Sequence, residues 1–169
     1  MRILVVRHGD AGDAQRFARS GRPDHLRPLT ARGRRRMWLA ARALVREVPR
    51  IDLLATSPYV RAVQTAEVLS QAYGELPVQQ TPELEPGVAL DSLFAWLDSQ
   101  SAHDGIALVG HAPDLADLVT CLAGGSPSSP AIKIKKGGAC LVTLDGAPSR
   151  RAGVIRWLMD AGQLAKLGS

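Results

Sequence analysis

Two histidines and two arginines stand at points where a chain of this pattern delivers side chains to a shared place. Arg7 and His8 follow the apolar run Ile3-Leu4-Val5-Val6, Arg61 lies just past Ile51 to Thr56, and His111 follows Ile106-Ala107-Leu108-Val109-Gly110. Short apolar runs of this kind read as buried strands. Where such strands run parallel, the carboxyl edge of their sheet is where ligands sit in open α/β folds. Basic side chains gathered there, together with the free N–H groups of helix N-termini, make an anion site. Phosphate fits it best, because the planar fork of arginine offers paired donors to a tetrahedral oxyanion.

The histidines indicate what could be done to that phosphate. A neutral imidazole can attack phosphorus and form a phosphohistidine that water later hydrolyses, while the arginines and a second, protonated histidine hold the equatorial oxygens. With unperturbed pKa values of about 6.5, keeping one histidine neutral and the other charged requires only modest tuning. His8 is the better nucleophile candidate, since a buried strand fixes its backbone and Gly9 lets the following main chain approach closely.

The elements that must position these groups follow from the pattern. Asp10 to Pro28 lacks periodicity and reads as a long loop at the mouth of the first strand. Thr30 is the expected N-cap of a helix running to about Val48, with Met37, Leu39, Ala40, Ala43, Leu44 and Val48 on its apolar stripe. The strand Ile51–Thr56 is followed by Ser57-Pro58, a serine N-cap with proline at the first helical position, which starts a helix ending before Gly74. Pro113 opens another helix, to about Leu122, behind the strand that carries His111. Pro77–Gln80 is a short extended piece, a helix spans Leu90 to Ser99, and Gly124–Pro130 is a flexible loop. Ile132–Lys135, Ala139–Leu144 and Val154–Met159 read as strands, the first two joined through Gly137-Gly138. Alternating strands and helices predict an α/β fold, a three-layer α/β/α sandwich with a mostly parallel central sheet and an antiparallel addition near the C-terminus.

The 169 residues suit one domain, 1–169, and a composition of 46% hydrophobic and 22% charged residues is that of a soluble globular protein. The N-terminal apolar run is too short for a signal peptide and is broken by Arg7 and His8, so a cytoplasmic location is expected. Cys121 and Cys140 have neither metal-ligand nor redox spacing and read as reduced core residues. The net charge of +5 is uneven: eleven arginines between Arg16 and Arg50 face only Asp24 and Glu47. That region can steer an acidic partner or coat a solvated surface.

Arg7-His8-Gly9, Leu29-Thr30 with Gly33, Ser57-Pro58 with Arg61 and Gln64-Thr65-Ala66, and Gly110-His111 occur in an order that resembles the histidine phosphatase superfamily, the phosphoglycerate mutase-like fold. The likeness runs from Met1 to about Leu144. The short length and the Arg-His-Gly-Asp-Ala opening look like the SixA-type phosphohistidine phosphatases. The resemblance implies that His8 is the phosphorylated nucleophile and that Arg7, Arg61 and His111 complete the phosphate pocket. No cofactor is expected, and no metal, since the arginines around the site would repel a divalent cation.

Two departures limit the transfer. Mutases and many small-molecule phosphatases of this superfamily carry Thr and Asn soon after Arg-His-Gly, where this chain has Asp10-Ala11-Gly12-Asp13, so those phosphate contacts are expected to be missing. Larger members carry a glutamate general acid after the fourth strand. Here the comparable stretch is Glu83-Leu84-Glu85-Pro86, the expected position is proline, and only Glu83 or Glu85 could substitute. An alkoxide leaving group gains about a hundredfold or more from a positioned acid, whereas the imidazole of phosphohistidine leaves more readily. The sequence therefore leans toward a phosphoramidate substrate or an activated phosphate ester, and away from mutase activity.

The reading is a phosphatase acting on phosphohistidine in a protein partner, such as a histidine phosphotransfer domain of a signalling relay. The rivals are a general small-molecule phosphomonoesterase and, from a different class, a phosphate-binding module without catalysis. Nucleic acid is not expected, since only Phe17 and Trp38 interrupt the arginine-rich region as aromatic platforms. A membrane partner is not expected either, and the chain is expected to be a monomer.

Overall fold

A computed structural model describes residues 1–124, 126 and 132–169. Its strands are β1 (Arg2–Arg7), β2 (Leu53–Thr56), β3 (Val78–Gln80), β4 (Gly105–Gly110), β5 (Ala139–Leu144) and β6 (Gly153–Met159). Its helices are α1 (Ala14–Ala18), α2 (Ala31–Glu47), α3 (Val60–Ala72), α4 (Leu90–Ser99), α5 (Asp114–Leu122) and α6 (Ala161–Leu167). The strands form one sheet in the order β3-β2-β4-β1-β5-β6. The first four are mutually parallel, while β5 runs antiparallel to β1 and β6 antiparallel to β5.

The alternation of side chains along β1 divides the core. Leu4 and Val6 pack with Met37, Ala40 and Leu44 of α2, Ala62, Ala66 and Leu69 of α3, and Leu164 of α6. Ile3 and Val5 face the other way, onto Leu93 and Leu97 of α4 and Leu115, Leu118 and Leu122 of α5. Each fully buried side chain of this size contributes about 1.5–3 kcal/mol of transfer free energy. The result is three layers with helices on both faces, as the alternation of apolar runs predicts. Both cysteines are free and buried. Among the described residues no helix is long and apolar enough to cross a membrane.

Two glycines let the site-bearing loop and α2 meet. A Cβ on Gly33 would run into the carbonyl of Asp10, and one on Gly9 would lie 2.6 Å from Met37 Cγ. Thr30 caps α2 as predicted, accepting from Gly33 N at 2.9 Å. Its hydroxyl also donates to the Asp10 carbonyl at 3.2 Å, so the cap fixes the helix against the loop that follows His8.

Elsewhere the structure corrects the sequence reading. The Asp10–Pro28 loop contains α1, capped by Asp13, and a 3-10 turn at Asp24–Leu26. Helix α3 begins at Val60, with Tyr59 rather than Ser57 at the cap position and no side-chain cap bond. Helix α5 starts at Asp114, with Pro113 at the cap position. Residues 132–135 are irregular rather than a strand. Their backbone serves the end of β1: Ile134 O accepts from Arg7, and Gly137 N donates to the carbonyls of Arg7 and His8. Helix α6 was not foreseen; Asp160 and Gln163 form a reciprocal capping box that starts it. Apart from Gly124 and Ser126, the loop expected over Gly124–Pro130 lies outside the described residues.

Candidate active site

Strands β2, β4 and β1 are adjacent and parallel, and their register brings three strand-to-helix junctions level. Arg7 pairs with Gly110 and Thr56 with Val109; one residue further, His8 N donates to Gly110 O at 3.0 Å and Ser57 N to Val109 O at 2.9 Å. The imidazoles of His8 and His111 therefore face one another, with ring centroids 5.1 Å apart. Arg61, in the first turn of α3, reaches back so that its Nε lies 3.3 Å from His8 Nε2. His8, Arg61 and His111, all singled out in the sequence, meet here, and the charge of the fourth, Arg7, acts on both imidazoles.

The hydrogen bonds define the state of His8. Its Nδ1 lies 2.7 Å from Gly9 O, and a carbonyl can only accept, so Nδ1 carries the proton. The lone pair is then on Nε2, which accepts from Arg61. Burial, opposed by the Gly9 bond and reinforced by the charges of Arg61, Arg7 and Arg27, lowers the His8 pKa to about 3. The ring is neutral at physiological pH, with its basic nitrogen facing a guanidinium.

His111 departs from expectation. Burial, with further contributions from His8, Arg61 and Arg7, lowers its pKa also to about 3, so in the free protein it is neutral rather than protonated. Burial is the larger cause, and of the charged groups nearby only Asp24 favours the imidazolium, an attraction that is outweighed. A doubly charged phosphate entering the pocket would oppose those cations and favour the imidazolium. His111 Nε2 lies 2.9 Å from Ser57 Oγ, a hydroxyl that can donate to a bare nitrogen or accept from a protonated one. Ser57 was read from the sequence as a helix cap; the structure gives its side chain to the histidine.

The arginines are held by partners that the sequence reading missed. Arg61 Nη1 bonds both the carbonyl of Asp24, at 2.9 Å, and its carboxylate, at 3.0 Å. Arg27 Nε takes the other carboxylate oxygen at 2.8 Å, and its Nη1 reaches the carbonyls of Ala11 and Gly12. Burial by itself raises the Asp24 carboxyl, but the two guanidiniums outweigh it and hold it below the usual carboxylate range. The available signal was Asp24 itself, one of two acids among eleven arginines. Tyr59 packs against His111, with centroids 5.0 Å apart, and carries the Arg61 guanidinium 4.9 Å above its ring. Thr65 Oγ1 accepts from Gly9 N at 3.0 Å and donates to Arg61 O at 2.7 Å, tying two site-bearing segments together. Gln64 accepts from Leu29 N at 2.8 Å.

Arg7 uses Nη1 on Ile134 O at 2.9 Å, while its Nε is buried with no partner among the described residues. A buried donor left unpaired is uncommon and marks a place for an acceptor. Burial lowers the pKa of both Arg7 and Arg61 from the ordinary value, but a guanidinium stays charged in a protein. The cluster is thus a neutral imidazole surrounded by fixed cations.

The superfamily's histidine phosphatase model, branch 1, matches residues 3–85. The phosphohistidine phosphatase SixA of Escherichia coli (strain K12) is 31% identical over 130 residues, 74% of this chain and 76% of that protein. The chain belongs to the histidine phosphatase superfamily. An uncharacterized protein of Picosynechococcus sp. is 35% identical over 140 residues, 82% of each chain. The structure of the protein histidine phosphatase SixA complexed with tungstate superposes with a TM-score of 0.82 at 28% identity, covering 97% of this chain and 99% of that one. The alpha-ribazole phosphatase of Shigella flexneri shares the fold, with a TM-score of 0.74 at 20% identity over 95% and 97% of the two chains.

Against this histidine phosphatase background the two departures take definite form. Asp10, in the segment where many relatives carry Thr and Asn, receives Lys136 Nζ at 3.3 Å and Thr30 Oγ1 at 3.3 Å. It closes the loop onto the 132–138 segment. Of the candidate acids, Glu85 lines a cleft with His25, Pro58 and Tyr59, and Tyr59 in turn packs on His111. Glu83 sits on the 3-10 turn Pro82–Leu84.

Proposed function

We propose that this histidine phosphatase hydrolyses phosphohistidine on a protein, through a covalent intermediate on His8. The observation that supports this best is the fixed tautomer: Nδ1–H is committed to Gly9 O, so Nε2 presents its lone pair among Arg7, Arg61 and His111. In the first step Nε2 forms a bond to phosphorus and the bond from phosphorus to the substrate imidazole breaks. The substrate ring, protonated on its other nitrogen, leaves neutral and needs no enzymic acid. In the second step water adds to phosphorus, the P–Nε2 bond breaks, and His8 returns as a neutral imidazole still protonated at Nδ1. The water proton ends on phosphate or in solvent. Arg7, Arg61 and His111 hold the oxygens on which charge redistributes.

The SixA structure similar to this chain is a complex with tungstate, a tetrahedral oxyanion of the same shape class as phosphate, and this agrees with an anion seat at the β1 edge. A signalling role and a cytoplasmic location belong to the same proposal. The test compares kcat/KM on a histidine-phosphorylated protein domain with that on alkyl and aryl phosphates, alongside trapping of acid-labile phosphate on His8. Comparable turnover of all three would sink the substrate assignment, and absence of labelled His8 would sink the intermediate.

One observation favours the small-molecule reading: Glu85 lies on the cleft beside Tyr59 and His25. If it serves as a general acid, Glu85→Gln lowers turnover of an alkyl phosphate about a hundredfold while sparing phosphohistidine.

A further inference from the structure

The loop beside the active-site mouth contains a groove that catalysis leaves unused. It runs from Arg27 past Phe17, Pro28 and Leu29 to Arg16 and Arg22. Arg27 belongs to both places: it lines the groove, and through Asp24 it is linked to Arg61 and so to His8. Helix α1, which forms one wall, buries none of its residues, so it stands at the mouth without a packing role of its own.

The charges around the groove are unbalanced. Asp24 is paired with Arg27 and Arg61 and Asp10 with Lys136; Asp13, which also lines the groove, accepts from the backbone N–H of Arg16 at 2.7 Å and keeps its charge, and Arg16 and Arg22 outnumber it. Arg16 and Arg22 are exposed and form no ion pair among the described residues. Arg22 lies over the Phe17 ring at 5.4 Å, which holds its charge against the apolar floor. A partly apolar groove with a surplus of guanidiniums, linked through Arg27 and Asp24 to Arg61, fits an extended acidic segment carrying an apolar residue.

Resting on the phosphohistidine reading, we propose that this groove binds an acidic stretch flanking the phosphorylated histidine of the protein substrate, with Arg16 and Arg22 determining that preference. The outer arginines of α2, such as Arg35 and Arg42, lie on clefts around Trp38 between α2 and α3. They have no comparable link to His8 and serve as the internal control.

The probes are two histidine-phosphorylated peptides of the same core, one flanked by glutamates and one by lysines, together with p-nitrophenyl phosphate. The unmodified protein should favour the glutamate-flanked peptide in kcat/KM by about tenfold at low salt, the preference shrinking as salt screens it. Arg16→Glu/Arg22→Glu should abolish or invert the preference while p-nitrophenyl phosphate turnover stays within about twofold, as expected for exposed charges away from the reacting atoms. Arg35→Glu/Arg42→Glu should leave the preference intact. The proposal is overturned if the unmodified protein shows no preference, if the Arg16/Arg22 variant keeps it, or if the α2 variant removes it. Turnover of p-nitrophenyl phosphate with neither peptide cleaved would overturn the phosphohistidine reading itself and the groove assignment with it.

Discussion

The arginines that converge on His8 and those on the outer face of α2 are the same residue type put to different physical uses. Arg7, Arg27 and Arg61 are largely withdrawn from water, and each is held by carbonyls or by Asp24 in fixed directions. Arg32, Arg34, Arg35, Arg36 and Arg42 are all exposed and form no ion pair among the described residues. The difference lies in what surrounds the charge. A buried guanidinium with a set geometry stabilises charge developing on a bound oxyanion, because it need not reorganise and is little screened. An exposed one is screened by salt and contributes mainly to long-range attraction.

The comparison breaks most visibly at its centre. His8→Asn keeps a side chain of similar reach but removes the proposed nucleophile, and turnover of every phosphorylated substrate should fall by at least about a thousandfold. Rapid-quench trapping should find no acid-labile phosphate on the variant. Survival of the labelled species would assign the nucleophile elsewhere. Next in size, Arg61→Met should cost about a hundredfold to a thousandfold in kcat, the scale of losing one preorganised donor. It also leaves Asp24 with Arg27 alone, so restoring the charge as Arg61→Lys should recover only part of the loss.

These large effects fall on residues that were legible in the sequence, and the reason is local. Arg7, His8 and His111 each follow a run of buried strand residues, and Arg61 opens the helix after another, so chain order alone placed them at one sheet edge. Arg27 and Asp24 were illegible because their roles depend on how a loop folds back. The arginine-rich segment looked uniform, yet the structure divides it into a mouth and an outer face. Ile132–Lys135 misled for a similar reason: its apolar alternation fits a strand, but the carbonyls of Ile134 and Gly138 and the N–H of Gly137 serve the end of β1. Ser57-Pro58 has the grammar of a helix start; Ser57 Oγ does accept from Tyr59 N at 3.3 Å, but the regular helix begins only at Val60 and the same hydroxyl also meets His111.

Acid should sharpen the contrast in stability. His8 and His111 both have native pKa values lowered from 6.5 to about 3. Below pH 6.5 the unfolded chain takes up protons that the native site refuses, so stability is fully present above that value and is lost as pH falls toward about 3. Because both groups are depressed in the same direction, the decline steepens as each takes up its proton in the unfolded chain. Urea titrations at pH 7, 5.5 and 4.5 should show the decline, and His111→Gln should flatten it. A denaturation midpoint independent of pH across that range would contradict the neutral, buried assignment.

Thr65→Val tests the fastening rather than the chemistry. The substitution keeps the volume but leaves the buried Gly9 N–H without its acceptor, a loss of about 1–3 kcal/mol. Because that N–H sits one residue past His8, kcat should fall as well, by less than in Arg61→Met, while KM for a small ester moves little. Thr65→Ser should restore both. If Ser fails to do so, the methyl packing and not the hydrogen bond holds the loop.

The smallest expected effect comes from the outer face and has the opposite sign. Arg32 and Arg36 are one helical turn apart on α2, a like-charge pair, and the first turn of that helix carries no acid. Arg32→Glu converts the pair into an attraction and places a negative charge near the positive end of the helix dipole. The two changes together should stabilise by about 0.5–1.5 kcal/mol and raise Tm by roughly 1–6 °C for a chain of this size. Activity on p-nitrophenyl phosphate should not change. A gain in stability without a change in turnover is what an exposed arginine surplus requires. A loss of either would mean that the outer face supports the site through contacts of its own, and the division between the two sets of arginines would have to be redrawn.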